Sequence, residues 1–257
     1  MTEPASPAPH PRYLPDDSVD APAPGAPTAS RWEDFIDIFY VPSSVFRRRE
    51  RSGFGLPLLV VSLLIGGIFL AQSGAMQPIM DAEFERGMAV AMRNNPQLTP
   101  EMMQSSRAIG ETVMKPMAII GTPIAMVITG IFLWLCGKIV GARQTVGAAL
   151  TVAAYAYVPK VLEMVLSAVQ LLVVDPATLN GRFRLSLGIG RFLDPDTVSP
   201  VVVGLLGRVD LFTIWVTVLL AIGLAVTGKV SRGKAAIAVT VLWLLGAVPA
   251  LLQAARS

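Results

Sequence analysis

An all-α integral membrane protein with five transmembrane helices follows from three features of this 257-residue chain. The first is five apolar stretches, at 56–75, 117–136, 146–174, 209–227 and 235–252. Each is near or above the ~20 residues that cross a ~30 Å hydrocarbon layer at ~1.5 Å per residue. The second is composition. A mean hydropathy of +0.59, with 53% hydrophobic and 15% charged residues, leaves more apolar surface than one water-soluble core could bury. The third is the placement of lysine and arginine around the stretches, which gives the chain a direction.

Arg47, Arg48, Arg49 and Arg51 stand just before the first stretch, which predicts a cytosolic N-terminus. Five crossings then put the links 137–145 and 228–234 inside and the segments 76–116 and 175–208 outside, with the C-terminus outside. The inside links carry five basic residues in 16 positions, against eight in 75 for the outer loops. No secretory leader is recognisable at the start, so targeting is expected to fall to the first membrane helix.

Residues 1–30 hold eight prolines among alanine, serine and acidic residues, a composition that predicts a disordered cytosolic tail. Residues 31–257 form the membrane domain. Trp32, Phe35, Ile36 and Phe39 follow i, i+3, i+4, i+7, with Glu33, Asp34 and Asp37 off that line. This predicts a short amphipathic helix ended by Pro42, either lying in the headgroup layer or packed on the cytosolic end of the bundle.

The first outer loop predicts helices over 79–93 and 100–115, separated by the breaker NNPQLTP, with Thr99 as N-cap. They are expected to form a cap lying on the outer membrane face. Eight of the eleven methionines fall between Met76 and Met117. The pairs Met76/Met80 and Met88/Met92 have the i, i+4 spacing of a Cu(I) thioether site, but no cysteine or histidine lies near enough to complete one. They read as apolar filler. In the second outer loop, Leu179-Asn180-Gly181 and the alternation from Arg182 to Leu187 suggest either a short hairpin or a flexible loop.

The third stretch carries the chemistry. Tyr157, Lys160, Glu163, Ser167 and Gln170 step by 3, 3, 4 and 3 residues and share one helical face. An ion in mid-membrane costs about 2.5–3.5 kcal/mol even on the lower scales, so Lys160 and Glu163 should face protein or water and pair with each other. Pro159 removes a helical donor and predicts a kink beside them. In the fourth stretch, Asp210, Thr213 and Thr217 offer a facing surface at i, i+3, i+7. Asp210 reads as a helix cap too far outward to pair with Lys160. The stripe is thus either hydrogen-bonding glue between helices or the lining of a path for a proton, an ion or a small polar solute. Gly137 and Gly141 form a small-xxx-small pair suited to close helix contact or a dimer.

The string FYVPSSVF at 39–46, before a basic cluster and a first membrane helix, resembles the opening of the Yip family. These are Ypt/Rab-interacting proteins that share the Yip-one domain of five membrane helices. Gly147, Tyr155 and Pro159 in the third stretch are similar to that family's glycine, aromatic and mid-membrane proline. VDLFTIW at 209–215 resembles the Asp-x-Phe-x-x-Trp entry of bacterial members. The likeness covers roughly residues 31–252. The Asp-Leu-x-Gly-Pro element of eukaryotic members does not occur in this sequence, so Rab binding and Golgi trafficking are not carried over. The resemblance implies the bacterial branch, and with it the plasma (inner) membrane of a bacterium as the location, the five-helix fold and a non-catalytic role.

Other functions lose support. His10, the only histidine, lies in the tail, and Cys136, the only cysteine, ends the second stretch as a small apolar residue. Neither a zinc motif nor a Ser–His or Cys–His pair is available in the membrane domain, and no Walker loop or Gly-x-Ser-x-Gly elbow occurs. No basic patch with interleaved aromatics points to nucleic acid. The expectation is a non-enzyme without cofactor or metal. Its partners would be the lipid bilayer and other membrane proteins, with further copies of itself as another. A scaffold or adaptor role comes first, and a small ion or polar-solute pathway along the stripe second.

Overall fold

The computed structural model describes residues 30–95, 97–175, 178–248 and 251. Expectations for the N-terminal tail and His10 therefore fall outside the described residues. Among those described, helices and 3-10 turns form every regular element, and the one bridge between extended residues joins Gly188 to Asp210. In chain order the helices are α1 (Asp34–Tyr40), α2 (Pro42–Arg49), α3 (Gly55–Gln72), α4 (Gln77–Asn94) and α5 (Pro100–Ile139). They continue with α6 (Val146–Ala156), α7 (Val158–Val173), α8 (Pro200–Leu206), α9 (Leu211–Gly228) and α10 (Arg232–Leu245).

Four segments are long and apolar enough to cross a membrane: α3, Ile119–Ile139 of α5, Val146–Val173 across α6 and α7, and α9. The fifth predicted crossing contains α10, whose 14 residues span about 21 Å. Its far end nevertheless reaches the level where α9 begins. Arg208, three residues before α9, donates to the carbonyls of Trp243 and Gly246 at 2.6 Å each.

The bundle has a link end, holding the turns after α5 and α9, and a loop end, holding α4, α8 and the segment between α7 and α8. At the link end Gly141 takes a left-handed conformation (φ 82°) and Lys229 does the same (φ 54°), so two helices reverse in few residues. The two links are joined: Arg143 N–H donates to the Gly228 carbonyl at 2.9 Å. Buried Gln144 accepts from Thr227 at 2.8 Å.

The centre of the bundle is α6. Thr145 caps it, and Ala148, Ala149 and every residue from Thr151 to Ala156 are buried. Its small residues let two neighbours approach closely. A Cβ on Gly223 of α9 would stand 2.3 Å from Val152, and one on Gly130 of α5 would stand 2.8 Å from Leu150. Gly137 packs in the same way within the chain, 3.0 Å from Leu224 by that measure, while Gly141 serves the turn. Of the two readings of this pair, close helix contact describes Gly137.

Three expectations change. The predicted break between 115 and 117 is absent: α5 runs 40 residues through Pro116 and Pro123. A proline removes one hydrogen bond and bends a helix without necessarily ending it. At about 60 Å, α5 is twice the hydrocarbon thickness, so its first half and its membrane segment are one continuous helix. The hairpin suspected after Leu179 is two 3-10 turns, Arg182–Leu185 and Ile189–Phe192. Leu179 and Leu185 are buried there with Ile79 and Leu171, which gives the loop end a small core of its own.

The pre-helix turns a different face inward. Asp34 and Ile38 are fully buried, whereas Trp32 and Ile36 are more than 60% exposed. Phe35 and Phe39 pack on Tyr155 and Trp215, with ring centroids 5.7 and 5.4 Å apart. Of the two sequence readings, packing on the bundle describes this contact.

Candidate polar site in the membrane domain

The expected kink falls at Tyr157, which separates α6 from α7, with Pro159 buried in the first turn of α7. Proline suits that place because a helix's first turn has no donor to lose. The break turns Tyr157 toward α5, where its hydroxyl and that of Thr129 lie 3.0 Å apart.

One turn on, Lys160 Nζ lies 2.6 Å from Glu163 and donates to Thr213 Oγ1 at 3.3 Å. Thr213 is in the first turn of α9, so the long lysine side chain carries its charge toward the loop end. Thr217 donates to the Thr213 carbonyl at 2.7 Å and lies on the same side. Tyr157, Lys160, Glu163, Thr213 and Thr217 are therefore brought together, with Thr129 as a member that periodicity in the third stretch could not reveal.

The other predicted residues lie elsewhere. Gln170 donates to the Leu185 carbonyl at 3.0 Å and ties α7 to the loop end. Ser167 is half-buried between Gln170 and Glu163. Asp210 caps α9, accepting from Phe212 and Thr213 N–H, and also accepts from Leu187 N–H at 3.1 Å. Its carboxylate thus has the cap role read from sequence and also holds the segment between α7 and α8 on α9. Tyr155 faces the pre-helix instead, where its hydroxyl donates to Asp34 at 3.3 Å.

The cluster around Asp34 was missed by sequence reasoning. Asp34 is fully buried and ion-paired to Arg48 at 2.8 Å and to Arg49. Burial opposes the charge on Arg48, but hydrogen bonds to Asp37 and Asp34 outweigh it and hold its pKa above the usual value. The available signal was an acidic residue in an amphipathic helix 14 and 15 positions before two arginines. Those arginines read as membrane flank. Gln72, at the end of α3, was also missed; it is 7% exposed with no partner for its amide among the described residues.

Two cavities border the polar group. One of about 580 Å³ lies among α5, α7, α9 and α10, and one of about 400 Å³ among α3, α5 and α7. Tyr157 and Lys160 line both. Both lie toward the loop end of tightly packed α6. No cluster of three or more histidine, cysteine or acidic side chains suited to a metal occurs among the described residues.

The family model for the Yip1 domain matches residues 36–252. The chain belongs to the Yip1-domain family. The Yip resemblance of FYVPSSVF, Tyr155, Pro159 and VDLFTIW therefore stands on a match across the whole membrane domain. A relative is membrane protein YknW of Bacillus subtilis (strain 168), 25% identical over 208 residues, covering 80% of this chain and 83% of that protein. No solved structure matches. Within this Yip1-domain protein, two residues of that resemblance have distinct jobs: Tyr155 holds the pre-helix, and Pro159 opens α7.

Proposed function

We propose that this protein is a non-catalytic scaffold or adaptor of a bacterial inner membrane, with five crossings, a cytosolic N-terminus and an external C-terminus. The observation that carries this reading is that the polar groups of the Lys160 stripe, of the Asp34 cluster and of the two links are paired with one another. Lys160 is matched by Glu163 and Thr213, Asp34 by Arg48, Arg49 and Tyr155, and Gln144 by Thr227. Groups paired in this way hold helices together and leave no poised nucleophile or acid–base pair. The five-crossing arrangement is supported by the reach of α10 back to Arg208. The orientation is supported by the basic residues of the links and of Arg47 and Arg51.

The half of α5 beyond its membrane segment, joined to α4 by the Arg107–Asp81 pair, gives such a scaffold an external surface. Other membrane proteins, or further copies of this chain, are the partners it would organise. Crosslinking in native membranes, followed by identification of the captured proteins, tests the reading. A small recurrent set lost on deletion of 100–115 is expected; no recurrent partner would sink it.

A second reading, an ion or polar-solute pathway, is favoured by the cavities on either side of Lys160. Flux through reconstituted vesicles that disappears in Lys160→Met with Glu163→Leu would put this reading first.

A further inference from the structure

The larger cavity combines a cation at one end with an apolar interior. Its 580 Å³ falls within the ~300–1,000 Å³ of small-molecule sites. Arg208 lies at the loop end, outside the span of α9. From there Val216, Leu220, Val239, Leu242 and Phe132 line the interior. From Thr213 to Leu220 the wall covers about 10 Å of helix, a large part of one ~15 Å leaflet.

The lysine, tyrosine and threonine side chains in the wall are already paired. Lys160 is neutralised by Glu163, and Tyr157, Thr213 and Thr217 have hydrogen-bond partners. Arg208 differs. Two of its N–H groups hold the end of α10, its Nε is buried without an acceptor, and it has no ion pair among the described residues. Burial by itself lowers its pKa, with no carboxylate acting on it. A guanidinium with donors to spare beside Trp243, 5.2 Å from the ring, suits a phosphate at the membrane–water boundary.

We infer that this cavity binds one anionic phospholipid, its phosphate held by Arg208 and one acyl chain lying between α9, α10 and α5. The lipid would enter from the leaflet at the loop end, since the link half of the bundle is closed by buried α6.

The test is native mass spectrometry of the full chain with phosphatidylglycerol and phosphatidylcholine of matched chains. Wild type is expected to retain one phosphatidylglycerol with about tenfold preference. Arg208→Gln should remove the preference, Arg208→Lys should keep most of it, and Thr217→Trp, which fills the cavity, should abolish retention of either lipid. Thermal unfolding in detergent without added lipid identifies any variant that fails to fold, and Thr217→Trp decides if Arg208→Gln does. Equal retention of the two lipids by wild type, or wild-type retention by folded Thr217→Trp, would overturn the assignment.

Discussion

The hydroxyl of Tyr155 donates to the carboxylate of Asp34 across 121 positions of sequence, and through it the first helix is fastened to the centre of the bundle. Asp34 is fully buried, and Arg48 and Arg49 close over it from α2. Asp34→Asn would leave two guanidinium groups facing a neutral amide. Because Arg48 keeps some water contact, the expected loss is about 2–3 kcal/mol, at the low end for a broken buried pair. Tyr155→Phe removes one hydrogen bond and should cost about 1 kcal/mol. Thermal unfolding in detergent measures both, and trypsin should cut faster around Arg47–Arg51 in Asp34→Asn. Unchanged unfolding of that variant would show the pair to be unimportant.

The Lys160–Glu163 pair lends itself to a double-mutant cycle. Glu163→Leu leaves an ammonium that still reaches Thr213 and the loop end, so its cost should be about 1 kcal/mol. Lys160→Met strands a half-buried carboxylate and should cost about 2–3 kcal/mol. The double variant, with both groups apolar, should unfold within about 1 kcal/mol of wild type. Additive losses in the double variant would contradict the pairing.

Gly223 and Gly67 should respond in opposite directions to alanine. A Cβ at Gly223 meets Val152 Cγ1 at 2.3 Å, and overpacking of that kind costs about 1–3 kcal/mol. At Gly67 of α3 nothing lies within 4 Å, so alanine should stabilise by up to about 1 kcal/mol through helix propensity. Unfolding temperatures in the same detergent compare the two. Equal effects would mean that α6 and α9 are not in contact at Val152.

Orientation is open to cysteine labelling, since the chain's single cysteine, Cys136, is buried. Ala89→Cys, at an exposed position of α4, should react with a membrane-impermeant maleimide from outside whole cells. Ser231→Cys, in the link before α10, should react only after the membrane is opened. Labelling in the reverse pattern would invert the proposed topology.

Much of the architecture was legible because a bilayer reads length and polarity directly. Apolar runs identified α3, α6–α7, α9 and the membrane half of α5, and local chemistry identified the caps Thr99 and Asp210. The pairing of Lys160 with Glu163 was visible because i, i+3 neighbours meet on any helix. The continuity of α5 through Pro116 was not, since proline signals both a bend and an end. Nor was the face of the pre-helix, where apolar spacing favoured Trp32 and Ile36 while the buried positions are Asp34 and Ile38.

By itself, the sequence determined that this is a helical membrane protein of the Yip1-domain family and that its unusual polarity lies in the third and fourth membrane stretches. Hydrophobic length, charge placement and local spacing are properties of single segments, and they survive without knowledge of neighbours. Tertiary structure decided which polar groups share a site. It moved Tyr155 to Asp34, left Asp210 as a cap, added Thr129 to Tyr157 and set Arg208 beside an apolar cavity. Those contacts join residues far apart in sequence, and a buried charge or hydroxyl takes whichever partner the packed helices bring within about 3 Å.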